Sequence, residues 1–381
     1  MASNADYFDP KGPLRLFLVC HPGLEHWLGE ELAELGYSSH RVIVGGIELD
    51  GSWQDIAFLN YWVRGATRVL VRIAEFSAVH FSQLDKRSRQ IAWQDWLAKS
   101  SQVVVEATSK RSKLYHSKGI AQRVGGAANS ALSTREDIGS SATVHVRLVN
   151  DWCQVSLDTS GEPLYKRGGK QEIGKAPMRE TMAALFLRAA RFDPQRPVFD
   201  PMCGSGTFVL EAAGRASGQV AGINRDFAYQ LWPSTVDVDT DALKGGDARI
   251  DPVRGNSLMM YGSDRDAGAA KRASANAVRL GVAHMCQFAR QSVSEVCPFT
   301  SKPGLVIVNP PYGDRLGSKA KLAGLYASFG QAMRDRFAGW RIALITNEAG
   351  LAAACNLPFI KPGPVVSHGG LKVRMWQTEA L

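Results

Sequence analysis

At 381 residues the chain exceeds one ordinary domain. Its 45% hydrophobic and 21% charged residues are the balance of a folded protein with a core, not of a collagen, a coiled coil or a disordered chain. No apolar run reaches the roughly 18 residues of a membrane helix, and no basic-then-apolar leader opens the sequence. The net charge of +9 favours an anionic partner, while six cysteines without a CxxC pair speak against zinc ribbons and disulfide frameworks and fit a reducing cytoplasm.

After a polar tail over 1–13, Leu14–Cys20 reads as a strand. Pro22-Gly23 opens a helix whose Leu24, Trp27, Leu28, Leu32 and Leu35 recur near the helical period, and Gly36 ends it. Arg41–Val44, Gly45-Gly46 and Ile47–Asp50 read as a tight hairpin. Ser52 caps a second helix through Tyr61, and Arg68–Ala74 returns as a strand. That order, β-α-β-β-α-β, predicts a ferredoxin-like domain over 14–70. Helices near Ser82–Leu97, a strand Val103–Ala107, a basic stretch, and strands Thr143–Val149 and Cys153–Leu157 follow. The basic stretch holds Lys110, Arg111, Lys113, Lys118, Arg123 and Arg135 with no acid between Ala107 and Arg135, a candidate RNA-binding surface.

From Met178 onward helices and short apolar strands alternate. Helix Met178–Ala190 precedes strand Val198–Phe199, and helix Gly206–Ala213 precedes strand Leu258–Gly262. Helix Ala267–Leu280 is followed by strand Leu305–Val308, a long helix over Leu322–Phe337 and strand Arg341–Ile345. This alternation predicts an α/β fold with a doubly wound, Rossmann-like parallel sheet over 166–381. Residues 215–257 break the rhythm and read as an insertion.

Two motifs carry chemistry. Asp200-Pro201-Met202-Cys203-Gly204-Ser205-Gly206-Thr207 joins a predicted strand to a predicted helix. Gly204 and Gly206 allow the backbone to turn sharply and approach a ligand. Val209 stands where a dinucleotide fingerprint needs its third glycine. An acid followed after three residues by GxG is instead the loop that holds S-adenosylmethionine, with Cys203 and Thr207 in the same loop. Asp264, or Asp266 two residues on, is placed at the end of the next strand to receive ribose hydroxyls; Asp266 also reads as a helix cap.

The second motif is Asn309-Pro310-Pro311-Tyr312, directly after a predicted strand. The Asn309 side-chain carbonyl and the Pro310 backbone carbonyl can accept the hydrogens of an exocyclic amine. Tyr312 offers a face on which a base can stack. The stretch Gly169–Ala176 almost spells a phosphate-binding loop, but Ala176 replaces the Ser or Thr that holds magnesium. The same stretch is basic, with Lys166, Arg167, Lys170, Lys175 and Arg179, and is expected to touch RNA or lie over the cofactor. Eight histidines show no ligand spacing, so no metal is expected.

These segments resemble the THUMP-domain bacterial RNA methyltransferases, specifically the 23S ribosomal-RNA guanine-N2 enzymes. The resemblance rests on DPMCGSGTFVLEAA (200–213), YGSDRDAGAAKRASANAVRLGV (261–282), VNPPYGDRLG (308–317), KRGGKQEIGKAPMRET (166–181) and the hairpin VIVGGIELDG (42–51). It implies a class I methyltransferase domain preceded by a ferredoxin-like and a THUMP module, the latter over 71–165. It implies methyl transfer from S-adenosylmethionine to guanine N2 in rRNA. Ser292 stands where the family usually has an acid toward adenine. Some relatives continue into a second methyltransferase, so one reaction is the expectation here. Adenine N6 methylation, a tRNA substrate, and a non-catalytic RNA-binding role are the alternatives.

Overall fold

The computed structural model describes residues 5–132, 140–168, 178–235, 237–244, 260–312 and 319–381. Its first strands are β1 (Ala5–Tyr7) and β2 (Leu14–Val19), then helix α1 (Glu25–Glu34). The hairpin β3 (Arg41–Ile43) and β4 (Gly46–Gly51) leads to α2 (Trp53–Trp62) and β5 (Arg68–Ser77). Next come α3 (Phe81–Ser88), α4 (Trp93–Trp96), β6 (Ser101–Lys110), α5 (Ser117–Leu132), β7 (Ser140–Val149) and β8 (Trp152–Asp158). The second half runs α6 (Glu180–Ala189), β9 (Val198–Asp200), α7 (Thr207–Ala216), α8 (Asp241–Lys244), β10 (Met260–Asp264), α9 (Ala267–Arg279) and β11 (Cys286–Arg290). It closes with β12 (Leu305–Val308), α10 (Lys319–Arg336), β13 (Arg341–Thr346), α11 (Ala349–Ala354), β14 (Val366–His368) and β15 (Leu371–Gln377). No helix among the described residues is long and apolar enough to cross a membrane.

Two compact units result: 1–19 with 37–164 and 225–245, and 20–36 with 165–224 and 246–381. The first unit is one sheet in the order β3-β4-β2-β5-β8-β7-β6, with β1 also on β5. The regions expected as separate ferredoxin-like and THUMP modules therefore share a single sheet, joined by the antiparallel β5–β8 pair. Ser52 caps α2 as expected, with Asp55 completing the reciprocal capping box. Buried Asn60 on α2 donates to Thr159 Oγ1 at 2.9 Å and accepts from Ser160 Oγ at 2.6 Å. That pair pins the chain leaving β8 to the helix beneath it.

Two segments fall outside their expected domains, for reasons of packing. Helix α1 belongs to the second unit: Leu28 and Leu32 are fully buried, and Glu34 receives Arg188 at 2.5 Å from α6 and Arg215 at 2.8 Å from α7. The middle of the insertion belongs to the first unit. Its Trp232 meets Trp53 edge-on at 6.0 Å, its Phe227 meets Tyr61 at 4.8 Å, and the Leu243 carbonyl accepts from the Trp62 indole at 3.2 Å.

The second unit is a sheet in the order β11-β10-β9-β12-β13-β15-β14. The first five strands are parallel, and β15 runs antiparallel beside β13. Chain order runs outward from β9 in one direction and from β12 in the other. A doubly wound sheet places its ligands at such a switch point, beyond the carboxyl ends of the strands.

Candidate active site

The ends of β9, β10 and β12 converge at that switch point. In the strand register Asp200 lies level with Gly262, and Asp264 lies two residues further along β10. Asn309 follows β12 directly.

The loop after β9 is held by backbone and carboxylate together. Met202 N donates to Asp200 Oδ1 at 3.1 Å, and Cys203 N to Ser263 O at 2.9 Å. Gly204 N donates to Asp264 Oδ2 at 3.0 Å, while Asp264 Oδ1 accepts from Asp266 N at 3.0 Å. Asp264 thus faces the loop, and Asp266 takes the capping role, accepting from Gly268 N at 2.8 Å. Both loop glycines hold left-handed backbone, φ +55° at Gly204 and +88° at Gly206. Their surroundings differ. A Cβ at Gly206 would crowd Ala273 at 3.1 Å and the Phe288 ring at 3.3 Å, whereas one at Gly204 would meet nothing within 4 Å. Gly206 is required by packing, and Gly204 borders open space. Thr207 begins α7, and no side chain caps the helix at Gly206, so the loop runs straight into a helix N-terminus. Asn276 on α9 braces the loop from behind, donating to Ser205 O at 3.2 Å.

The electrostatics are those of a dry carboxyl beside a wetter one. Asp200 is completely buried, and burial, with the Asp264 charge adding to it, pushes its pKa up to about 8 against the Met202 amide. Burial also drives the Cys203 thiol well above its ordinary range, so it stays neutral beneath the loop.

At the end of β12 the Asn309 side-chain carbonyl is buried without a hydrogen-bond donor among the described residues. Such an orphan acceptor is costly unless a ligand satisfies it. The turn around it is fixed, because Tyr326 Oη donates to Pro311 O at 3.3 Å and contacts Thr346 Oγ1 at 3.2 Å. Pro310 is buried in the same turn. Tyr312 differs from expectation. Its ring is 1% exposed, and its hydroxyl lies 2.7 Å from His368 Nδ1 on β14. A phenol in a buried place needs a partner for its hydroxyl, and His368 supplies one by drawing the ring inward, so the ring offers no open stacking face. His21 feels the charge of His368. Burial, then the charges of Arg179 and His368, lower its pKa to about 4.

Residues 167–361 match the family of RMKL-like methyltransferase domains, and residues 15–70 match the RlmL ferredoxin-like domain. The chain belongs to the RMKL-like methyltransferases. It is 30% identical over 356 residues to the ribosomal RNA large subunit methyltransferase K/L of Vibrio cholerae, a match covering 89% of this chain and 49% of that enzyme. A possible methylase from Clostridium difficile superposes with a TM-score of 0.87 at 30% identity, over 97% of this chain and 99% of its own. SMU.472 complexed with SAH superposes with a TM-score of 0.85 at 28% identity, again over 97% and 99%.

The remaining expected positions lie further out in this RMKL-like chain. Ser292, just past β11, has its hydroxyl 3.0 Å from that of Ser294. Lys110, Arg111, Lys113, Lys118 and Arg123 are all exposed at the β6–α5 end of the first unit, and none has an ion-pair partner among the described residues. Arg135 lies outside the described residues, as do Lys170 and Lys175. Arg167 is not a surface cation. It is buried against Glu211 of α7, with Nε 3.1 Å from Oε1 and Nη2 3.2 Å from Oε2. The sequence reading missed Tyr115. It is 70% exposed amid these cations and lies 4.1 Å, ring to ring, from His116. An aromatic interleaved with basic residues is the signal that could have found it.

Proposed function

We propose that this methyltransferase transfers a methyl group from S-adenosylmethionine to the exocyclic N2 of a guanine in RNA, with 23S rRNA in the cytoplasm as the substrate. The observation that carries the reading is the orphaned Asn309 carbonyl at the switch point. The crevice suits the cofactor in three respects. Gly204 leaves open a space that any side chain would fill. Asp264 can turn its carboxylate to ribose hydroxyls, and the positive end of the α7 dipole lies at the end of the loop. The relative complexed with SAH, the demethylated form of that cofactor, supports the same choice.

When bound, S-adenosylmethionine supplies a methyl group that its sulfonium already activates. The chain's own work is then positioning and exclusion of water. Asn309 Oδ1 and the Pro310 carbonyl accept the two amine hydrogens, which turns the nitrogen lone pair outward. No strong base is needed, and Cys203 in the loop stays a neutral packing thiol. The amine must leave its helix to reach Asn309, so the target is unpaired or flipped. We read β6, α5, β7 and β8 as the THUMP module, with Lys110, Arg111, Lys113, Lys118, Arg123 and Tyr115 on RNA. The named rRNA methyltransferase among the relatives supports large-subunit rRNA as the substrate.

The deciding experiment incubates the purified chain with methyl-labelled S-adenosylmethionine and unmodified 23S rRNA, tRNA or DNA, then digests the product to nucleosides. N2-methylguanosine from 23S rRNA is expected. N6-methyladenosine would replace the guanine reading, a tRNA product would move the substrate, and no transfer to any of the three would refute the proposal.

A further inference from the structure

The eight-stranded sheet of the first unit carries a built groove on its polar face. Register aligns Asp50, Arg15, Arg72, Ser156, His145 and Glu106 in one row across β4, β2, β5, β8, β7 and β6. The register shifts between Arg72 and Ala74, and this irregularity brings Glu75 beside Arg72. The sheet curls strongly. Val44 O, at the β3–β4 turn, accepts from Arg147 Nη2 on β7 at 3.4 Å, with three strands of the sheet between them. The concave face so formed encloses about 570 Å³, within the ~300–1,000 Å³ of small-ligand sites.

The lining is neither acidic nor basic. Arg72 lies 3.0 Å from Glu75 and 3.6 Å from Glu48, and Arg41 at the rim also pairs with Glu48. Arg15 lies 3.7 Å from Glu75, and half-buried Trp152 closes one side. Arg72 is only 6% exposed at its side chain, yet its Nε donates to nothing among the described residues. A buried donor left over from a salt-bridge network calls for an acceptor from outside. A bare phosphate would supply one but would meet the carboxylates of Glu48, Glu75 and Asp50 as well. A nucleobase edge that both donates and accepts satisfies both kinds of group. Guanine does so best, with O6 and N7 for guanidinium and N1–H and N2–H₂ for carboxylate. Unpaired bases stacked on aromatic side chains are the usual handle for sequence recognition in RNA.

We propose that this groove binds one unpaired guanine of the RNA substrate, with Arg72 and Glu75 on its edge and Trp152 against its face. The proposal rests on the reading of the protein as an RNA enzyme, and adds a base-reading site separate from the basic stretch near Lys110. The test measures binding of the full-length protein to a heptamer of uridines, to the same heptamer with one central guanosine, and to that heptamer annealed to its complement. Arg41→Ala and Trp152→Ala sit at the rim, and their thermal unfolding is checked beside the parent. The single guanosine should tighten binding about tenfold, the scale of one lost stacking contact. The gain should vanish in the duplex and in both variants, and SAH affinity should stay unchanged. GMP should compete and inorganic phosphate should not. Discrimination that persists in both variants, or phosphate competing as well as GMP, would overturn the proposal. If rRNA is methylated but guanosine brings no gain, the groove proposal fails alone. If the gain is present but no RNA is methylated, it is the enzymatic reading that fails.

Discussion

Replacing Asp200 by Asn tests the electrostatics of the crevice directly. In the folded protein burial holds this carboxyl protonated up to about pH 8, while in the unfolded chain it ionises near its ordinary 3.8. Between pH 5 and pH 7 the folded state therefore keeps a proton that the unfolded state has lost. A state that binds the extra proton is weakened as protons become scarce, so this group makes stability fall as pH rises through the window. The slope is about 1.4 kcal/mol per pH unit, or about 3 kcal/mol from pH 5 to pH 7. The side chain is fully buried, so solvent screening takes nothing from that figure. Asn has nearly the same shape, keeps an acceptor for Met202 N and does not titrate. Urea unfolding of both proteins at pH 5, 6 and 7 isolates the term, because every other titrating group cancels in the difference. Asp200→Asn should gain on the parent by about 3 kcal/mol across that range. A difference that stays constant with pH would show that Asp200 is ionised when folded, and the account of a dry carboxyl beneath the loop would be wrong.

Gly204→Val has room for its Cβ, which meets no atom within 4 Å, but strains the left-handed backbone at φ +55°, so its thermal unfolding is checked beside the parent; it should lose SAH binding by calorimetry, and retained binding would place the ligand elsewhere. Asp264→Ala should weaken SAH by roughly 1.5–3 kcal/mol, the scale of a charge-assisted hydrogen bond, measured in the same titration. Asn309→Ala should lower turnover by about 10²–10³ with SAH affinity unchanged, and normal turnover would mean that another group holds the amine. His21, with its pKa lowered to about 4 against 6.5, withholds stability as pH falls through that interval, so His21→Gln should flatten the acid limb of a thermal-stability profile. Changing Lys110, Arg111 and Lys113 together to Ala should flatten the log–log salt dependence of RNA binding by up to about 2 units. An unchanged slope would make that stretch a merely solvated surface.

What the sequence displayed, and what it hid, follows from how local each determinant is. The loop after β9 and the Asn309 turn stand out because their glycines and prolines are required by local backbone geometry. Asp264 and Asp266 separate for a similar reason, since one ends a strand and the other caps the helix beginning at Ala267. Tyr312 misled because the group that turns it inward, His368, lies 56 residues away on a strand that Gly- and Pro-rich flanks obscure. Helix α5 was hidden by Gly119, Gly125 and Gly126, which weaken helix propensity. At Gly125 an added Cβ would lie 3.3 Å from Val105, so a small residue there lets α5 lie close on β6. Tertiary packing repays the lost propensity, and no window of sequence records it. The ownership of α1 and of 225–245 was equally unreadable, since either apolar face could have served any core.

The threading of the chain through the two units also orders its folding during synthesis. It passes between them at 19–20, 36–37, 164–165, 224–225 and 245–246. The first unit has all its strands once β8 emerges, but Trp232, Phe227 and Leu243 arrive much later. Until then Trp53 and Tyr61 lack their cover, and earlier still α1 waits for its neighbour α6. A ribosome stalled before residue 245 would thus carry a finished sheet with an unfinished core, a form prone to capture by chaperones. For the same reason no single cut divides this protein into two soluble halves: a break at 164–165 strands a helix of the second unit on one fragment and a core segment of the first on the other.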